Sequence, residues 1–102
     1  MFIIKITYLA ELAEIDKYVQ AHRDFLDMHY QTGQFLASGP MTPRTGGIIV
    51  ALGSNKERVE EIFKDDPYQK AGVASYEVIE FTAVKCLDQI KSLMRDPANV
   101  NL

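Results

Sequence analysis

The amino-acid sequence predicts an α+β domain of ferredoxin-like topology, in which a four-stranded antiparallel sheet carries two helices on one face. The 102 residues, with 47% hydrophobic and 25% charged side chains, have the composition of one globular domain. Apolar side chains change their period along the chain, from a strand pattern to a helical one and back. The resulting order is strand, helix, strand, strand, helix, strand, which is the order of a split βαβ domain.

The first half of the chain predicts a strand, a long helix and a second strand. Residues 2–9 (FIIKITYL) are rich in β-branched and aromatic side chains, as strands are. In residues 11–32 the apolar positions recur every three or four residues, which predicts one amphipathic helix. Gly33 follows in the position where glycine commonly ends a helix. Residues 34–41 (QFLASGPM) predict the second strand.

The second half begins with a strand that is apolar on both faces, GIIVAL in residues 47–52. Ser54 or Asn55 can cap the helix that follows, because both side chains accept hydrogen bonds from free backbone N–H groups. The inner face of this helix is predicted to consist of Val59, Ile62 and Phe63. The helix is predicted to end at residues 64–72, KDDPYQKAG, which continue into a tight turn.

Residues 75–84 (SYEVIEFTAV) predict the fourth strand, and residues 87–95 predict a short amphipathic helix. Its inward side chains would be Leu87, Ile90 and Leu93 or Met94. We therefore divide the chain into one domain, residues 1–85, and a C-terminal helical appendix, residues 86–102.

The predicted topology leaves one face of the sheet without helices. In this fold the first and third strands are central, and these strands carry apolar residues on both faces. The simplest cover is the same face of a second copy, which predicts a symmetric homodimer by sheet-on-sheet packing. The appended helix could instead cover part of that face within the same chain.

Composition argues against several classes of partner and cofactor. The net charge of −3 and the scattered basic residues predict no nucleic-acid binding. We expect no membrane span and no signal peptide, because no apolar run has the required length and flanks. Cys86 is the only cysteine, which excludes an internal disulfide and fits a cytoplasmic protein. No glycine-rich phosphate loop is present, and we expect neither a cofactor nor a metal.

Asp66 is the first candidate site residue, because it precedes Pro67. A residue before proline is pushed out of the helical conformation, so the Asp66 carboxylate should turn away from the helix that it follows. The same dipeptide also serves as an ordinary helix stop, and it recurs at Asp96 and Pro97 near the terminus.

His22 is the second candidate, since it lies on the apolar stripe of the first helix. It is open whether this imidazole is a structural group with a hydrogen-bond partner or a catalytic one. His29 lies on the same stripe in the last turn, where a cation is favourable. We do not expect the two histidines to share a metal, because seven residues of helix rise about 10.5 Å.

The end of the second strand supplies the remaining candidates. Gly39 would let a ligand or another backbone approach closely, and the hydroxyl of Ser38 can donate or accept a hydrogen bond. The same string also suits a simple strand end. Arg44, in the loop that follows, could attract an anionic substrate, but we expect it on the surface.

Taken together, these strings resemble the YciI-like (YCII-related) family. The resemblance rests on AHRDFL around His22, the strand end SGPM, an apolar third strand and DDPYQKAG before the last strand, and it covers roughly the first 85 residues. It implies a dimeric α/β barrel of ferredoxin-like domains, with a cleft that holds a histidine and an aspartate. Those residues fall on His22 and Asp66, and the serine of the strand end falls on Ser38. From the residues themselves we add Gly39 and Tyr68 as predicted substrate-binding residues beside Ser38.

The best-defined relatives in that family are similar to dehydrochlorinases, which implies lyase or isomerase chemistry on small ring compounds. A carboxylate that orients an imidazole would support general acid-base catalysis on an activated ring or carbonyl compound. The sequence leaves open a non-catalytic small-ligand-binding or dimerisation module, in which His22 and Asp66 form a structural pair. A cofactor-free oxygenase is a third possibility.

Overall fold

The computed structural model describes residues 1–93, which form an α+β domain. In chain order the elements are β1 (Phe2–Tyr8), α1 (Leu12–Asp16), α2 (Val19–Gln31), β2 (Phe35–Pro40), β3 (Gly46–Ala51), α3 (Lys56–Phe63), α4 (Pro67–Lys70), β4 (Ala74–Glu80) and a 3₁₀-helix (Asp88–Leu93). Among these residues, no helix is both long enough and apolar enough to cross a membrane.

The sheet has the strand order β2-β3-β1-β4, and every neighbouring pair is antiparallel. The first and third strands are therefore central, which confirms the predicted ferredoxin-like topology. On β1, the alternate side chains Phe2, Ile4 and Ile6 are buried, because they point to the face that carries the helices. Val59 and Phe63 of α3 belong to the same buried core. Burying such a side chain contributes about 1.5–3 kcal/mol.

The predicted long helix is interrupted, which corrects the expectation for residues 11–32. α1 ends at Asp16 and α2 begins at Val19, with a tightened turn between them in which the N–H of Tyr18 bonds to the carbonyl of Ile15. The apolar spacing runs through this break without a change, so the sequence pattern does not reveal it. The helix end at Gly33 is as predicted, with φ at 78°.

The C-terminal elements are shorter than predicted. β4 ends at Glu80 and not at Val84, because its partner β1 begins at Phe2, which pairs with Glu80. The predicted α-helix is a 3₁₀-helix, and Leu87 and Leu93 are 71% and 49% exposed and not packed inward. Met94 and Arg95 lie outside the described residues.

The face of the sheet opposite the helices carries several apolar side chains. Ile3 of β1 lies between Val50 of β3 and Ile79 of β4 on this open face, and Ile79 is 45% exposed. Lys5 of β1 lies between Ile48 and Glu77 on the same face.

Candidate active site

Asp66 lies at the corner between α3 and α4, where the local sequence sets its conformation. Its backbone is extended, with φ −68° and ψ 128°, as expected for a residue before proline. Pro67 then starts α4, and the Asp66 side chain caps this helix by accepting the N–H of Tyr68 at 3.1 Å. The residue is 0% exposed and is the only buried charged side chain in the described part of the chain.

The structure brings His22 of α2 into contact with this carboxylate. The distances from His22 Nδ1 to Oδ1 and Oδ2 of Asp66 are 2.8 and 3.0 Å. Because an ionised carboxylate only accepts hydrogen bonds, Nδ1 carries the proton and Nε2 is left as the unprotonated nitrogen of the neutral ring. The His22 side chain is 12% exposed and the Asp66 side chain is 0% exposed, so water screens the pair poorly.

Tyr68 covers one face of the imidazole. The two rings are stacked, with centroids 4.1 Å apart and an angle of 14° between their planes. Burial, together with the charges nearby, raises the pKa of Tyr68 to about 12, so its phenol stays neutral at physiological pH.

Tyr76 of β4 is a site residue that the sequence did not single out. Its hydroxyl donates a hydrogen bond to Oδ2 of Asp66. Burial and the negative charge of Asp66 raise the pKa of Tyr76 well above its ordinary range, so the hydroxyl remains a donor. Asp66 therefore accepts from three groups, and no buried polar side-chain atom in residues 1–93 lacks a partner.

His22 and Tyr68 line a cavity of about 760 Å³ between α2 and the first three strands, whereas Asp66 lies behind them. Ser38 of β2 also lines it, and its Oγ is 2.6 Å from the hydroxyl of Tyr30 in the last part of α2. Gly39 contributes to the wall, but a Cβ at this position would meet nothing within 4 Å. Close packing within this chain therefore does not require glycine there.

The Arg44 side chain is 36% exposed, as expected for a surface residue, and it also lines the cavity. One guanidinium nitrogen lies 2.6 Å from Oδ1 of Asp16, and the guanidinium carbon lies 5.7 Å from the ring centroid of Tyr8. These contacts hold the cation at the cavity wall by an ion pair and a cation–π interaction. Twenty-eight residues separate Arg44 from Asp16, so no local pattern could indicate the contact.

His29 lies in the last turn of α2, the position in which a cation would be favourable. Its ring packs against Phe25 and Phe35, with centroids 4.9 and 5.0 Å apart. Burial lowers the pKa of His29, which favours the neutral imidazole over the cation. Among residues 1–93 no group of three or more histidine, cysteine, aspartate or glutamate side chains is arranged to hold a metal ion.

The fold and the cavity define a small α+β domain of ferredoxin-like topology with a buried histidine–aspartate pair beside a pocket. The chain belongs to the YCII-related domain family, whose model matches residues 1–82. This confirms the family that the sequence motifs indicated.

One solved structure with the same fold is 5-chloro-2-hydroxyhydroquinone dehydrochlorinase from Burkholderia phenoliruptrix AC1100, in complex with 2,5-dihydroxybenzoquinone. The TM-score is 0.62 at 19% sequence identity, over 80% of this chain and 94% of that one. No protein with a curated description matches this chain.

Proposed function

We propose that the protein is a small-molecule enzyme that uses His22 and Asp66 for general acid-base chemistry, of lyase or isomerase type, on an activated ring or carbonyl compound. The observation that carries this proposal is the hydrogen bond of 2.8 Å from His22 Nδ1 to the buried carboxylate of Asp66, beside a cavity that His22 lines. It leaves Nε2 as the nitrogen that can exchange a proton with a bound molecule.

In the proposed reaction, Nε2 takes a proton from an acidic hydroxyl or carbon atom of the substrate. The electron pair left behind forms a new double bond, and a leaving group such as chloride departs with its own pair of electrons. The resulting imidazolium is stabilised by the charge of Asp66, until it returns the proton to product or water. Ser38 can donate a hydrogen bond to an oxyanion that forms during the step.

The rate acceleration that one acid-base pair can provide limits how weakly acidic the substrate can be. A positioned acid or base accelerates a reaction by about 10²–10⁴-fold, so the proton removed must already be acidic, as in a phenol or beside a carbonyl. The solved dehydrochlorinase acts on a chlorinated hydroxyhydroquinone, which is a compound of this kind. It supports the same class of chemistry for this chain.

We further propose a homodimer in which the open faces of two sheets pack together. Ile3, Val50 and Ile79 would be buried by this packing, as the interiors of sheet sandwiches are. This face also favours the alternative function, a non-catalytic ligand-binding or dimerisation module in which His22 and Asp66 are only structural.

Chloride release from chlorinated hydroxyhydroquinones tests the proposal, beginning with 5-chloro-2-hydroxyhydroquinone. Turnover should disappear in His22→Ala and Asp66→Asn, while His29→Gln, which changes a histidine outside the cavity, should retain it. Circular dichroism and light scattering on the same samples report the fold and the oligomeric state. If both site variants mainly unfold, and the fraction that stays folded is still active, the proposed role of His22 and Asp66 in catalysis is contradicted. Binding of 2,5-dihydroxybenzoquinone without turnover of any candidate would favour the ligand-binding module.

A further inference from the structure

The carboxylate of Asp66 is held from two sides. Oδ1 accepts the backbone N–H of Tyr68 at 3.1 Å, and Oδ2 accepts the hydroxyl of Tyr76. The N–H of His22 lies between the two oxygens, at 2.8 and 3.0 Å. The donor on Oδ1 belongs to the backbone and follows from the cap of α4. The donor on Oδ2 depends on one side chain from another element, β4.

We propose that Tyr76 is a positioning residue, whose hydroxyl orients the Asp66 carboxylate and sets the pH range over which His22 can accept a proton. This inference rests on the proposed role of His22 and Asp66. Tyr76 itself does not line the cavity, so it would act through Asp66 and not by touching a substrate.

The placement of Tyr76 suits this role. Its ring packs against Phe63, with centroids 5.4 Å apart, and β4 holds it opposite Ile6 of the central strand. The hydroxyl therefore has little freedom to leave Oδ2. Because burial raises the pKa of Tyr76, its hydroxyl keeps its proton near neutral pH and can donate the hydrogen bond.

A hydrogen bond to Oδ2 draws negative charge away from the carboxylate. Without it, the same charge would be concentrated on Asp66 and would attract the imidazolium of His22 more strongly. His22 would then remain protonated to a higher pH, and less of the free base would be present near neutrality. The hydroxyl thus keeps the base available.

Other charged or titratable groups lie around Tyr68, whose ring stacks on His22. Besides Tyr68 itself on α4, they are Tyr8 of β1, Asp16 of α1 and Arg44 of the loop before β3. All four remain in place when only the Tyr76 hydroxyl is removed. A comparison of Tyr76→Phe with the unchanged protein therefore isolates the effect of that one donor.

The experiment follows the His22 ring by NMR as a function of pH, without any substrate. In Tyr76→Phe the titration midpoint of His22 should rise by about 0.5–1 pH unit, a fraction of the strength of one hydrogen bond to a carboxylate. The control Tyr18→Phe removes a phenol hydroxyl at the N-cap of α2 and should leave the titration midpoint of His22 unchanged. An unchanged midpoint in folded Tyr76→Phe overturns the proposal.

A second substitution covers the case in which Tyr76→Phe does not fold. A fluorinated tyrosine placed at position 76 alone keeps the ring and the hydroxyl but makes the hydroxyl a stronger donor, so the midpoint should move to lower pH. No movement would overturn the proposal equally. Because neither measurement needs turnover, a negative result here is distinct from a failure of the proposed enzyme activity.

Discussion

Replacing Asp66 with asparagine should reverse the tautomer of His22. Asparagine has the shape of aspartate, but one of its two polar ends is an NH₂ group that only donates. If its oxygen takes the Oδ1 position and keeps the N–H of Tyr68, the NH₂ group takes the Oδ2 position and faces the donor on His22 Nδ1 at 3.0 Å. The conflict is removed when the imidazole moves its proton to Nε2, and that nitrogen can then no longer act as a base.

The expected free energies favour asparagine over alanine for this experiment. Asp66→Ala would leave three buried donors without a partner, on His22, Tyr68 and Tyr76. At about 1–3 kcal/mol for each unpaired group, the total of roughly 3–9 kcal/mol is comparable to the whole stability of a domain, about 5–15 kcal/mol. Asp66→Asn leaves at most one donor without an acceptor, so we expect a loss of about 1–3 kcal/mol and a folded protein.

The assay is a long-range ¹⁵N–¹H correlation spectrum of the histidine rings, combined with urea unfolding. We expect the Nδ1–H form of His22 in the unchanged protein and the Nε2–H form in Asp66→Asn. In catalytic triads the wrong tautomer lowers kcat by about 10⁴-fold, and we expect a loss of this order in any turnover assay. Asp65→Asn, at the exposed neighbouring carboxylate, should change neither property. An Nδ1–H ring that persists in Asp66→Asn would refute the reasoning.

Three further predictions concern the fold, its pH dependence and its assembly. Gly46→Ala should lower the free energy of unfolding in urea by about 1–3 kcal/mol or more, because the added Cβ would lie 1.8 Å from the carbonyl oxygen of Ile6. The control Gly39→Ala should have little effect on monomer stability, and equal losses in the two variants would contradict this prediction. Burial lowers the pKa of His29, so at mildly acidic pH the unfolded chain binds a proton at this residue more readily than the folded chain does. The free energy of unfolding that His29 contributes above pH 6.5, its ordinary pKa, should therefore be lost as the pH falls below that value. The thermal midpoint should therefore fall less on acidification in His29→Gln than in the unchanged protein, and parallel curves would refute the assignment. Val50→Glu places a charge on the open face and should give a folded monomer in light scattering; a dimer that persists would exclude that face as the interface.

Local rules predicted those parts of the molecule that neighbouring residues determine. The β-branched run in β1, the glycine after α2 and the extended backbone of Asp66 before Pro67 all depend on a few adjacent residues, and the structure has each of them. The break between α1 and α2 was missed, because apolar residues keep the same spacing on both sides of it.

Contacts between distant parts of the chain were not accessible in the same way. His22 and Asp66 are 44 residues apart, and the family resemblance, not their spacing, placed them in one cleft. The hydroxyl of Tyr76 and the guanidinium of Arg44 reach the site through the register of β4 and the loop before β3. No pattern within a window of the sequence encodes these approaches. The catalytic role of the pair stays a prediction.

Asp66 is buried behind the cavity, so the elements that hold it differ from those that form the opposite wall. Its carboxylate is held by α2, α4 and β4, whereas the far wall of the cavity is built from β2 and the loop that carries Arg44. In the proposed enzyme, a bound molecule would meet the imidazole and not the acid behind it. Substitutions in that far wall would then alter which compounds fit while His22 and Asp66 keep their arrangement, so one architecture could serve different small substrates.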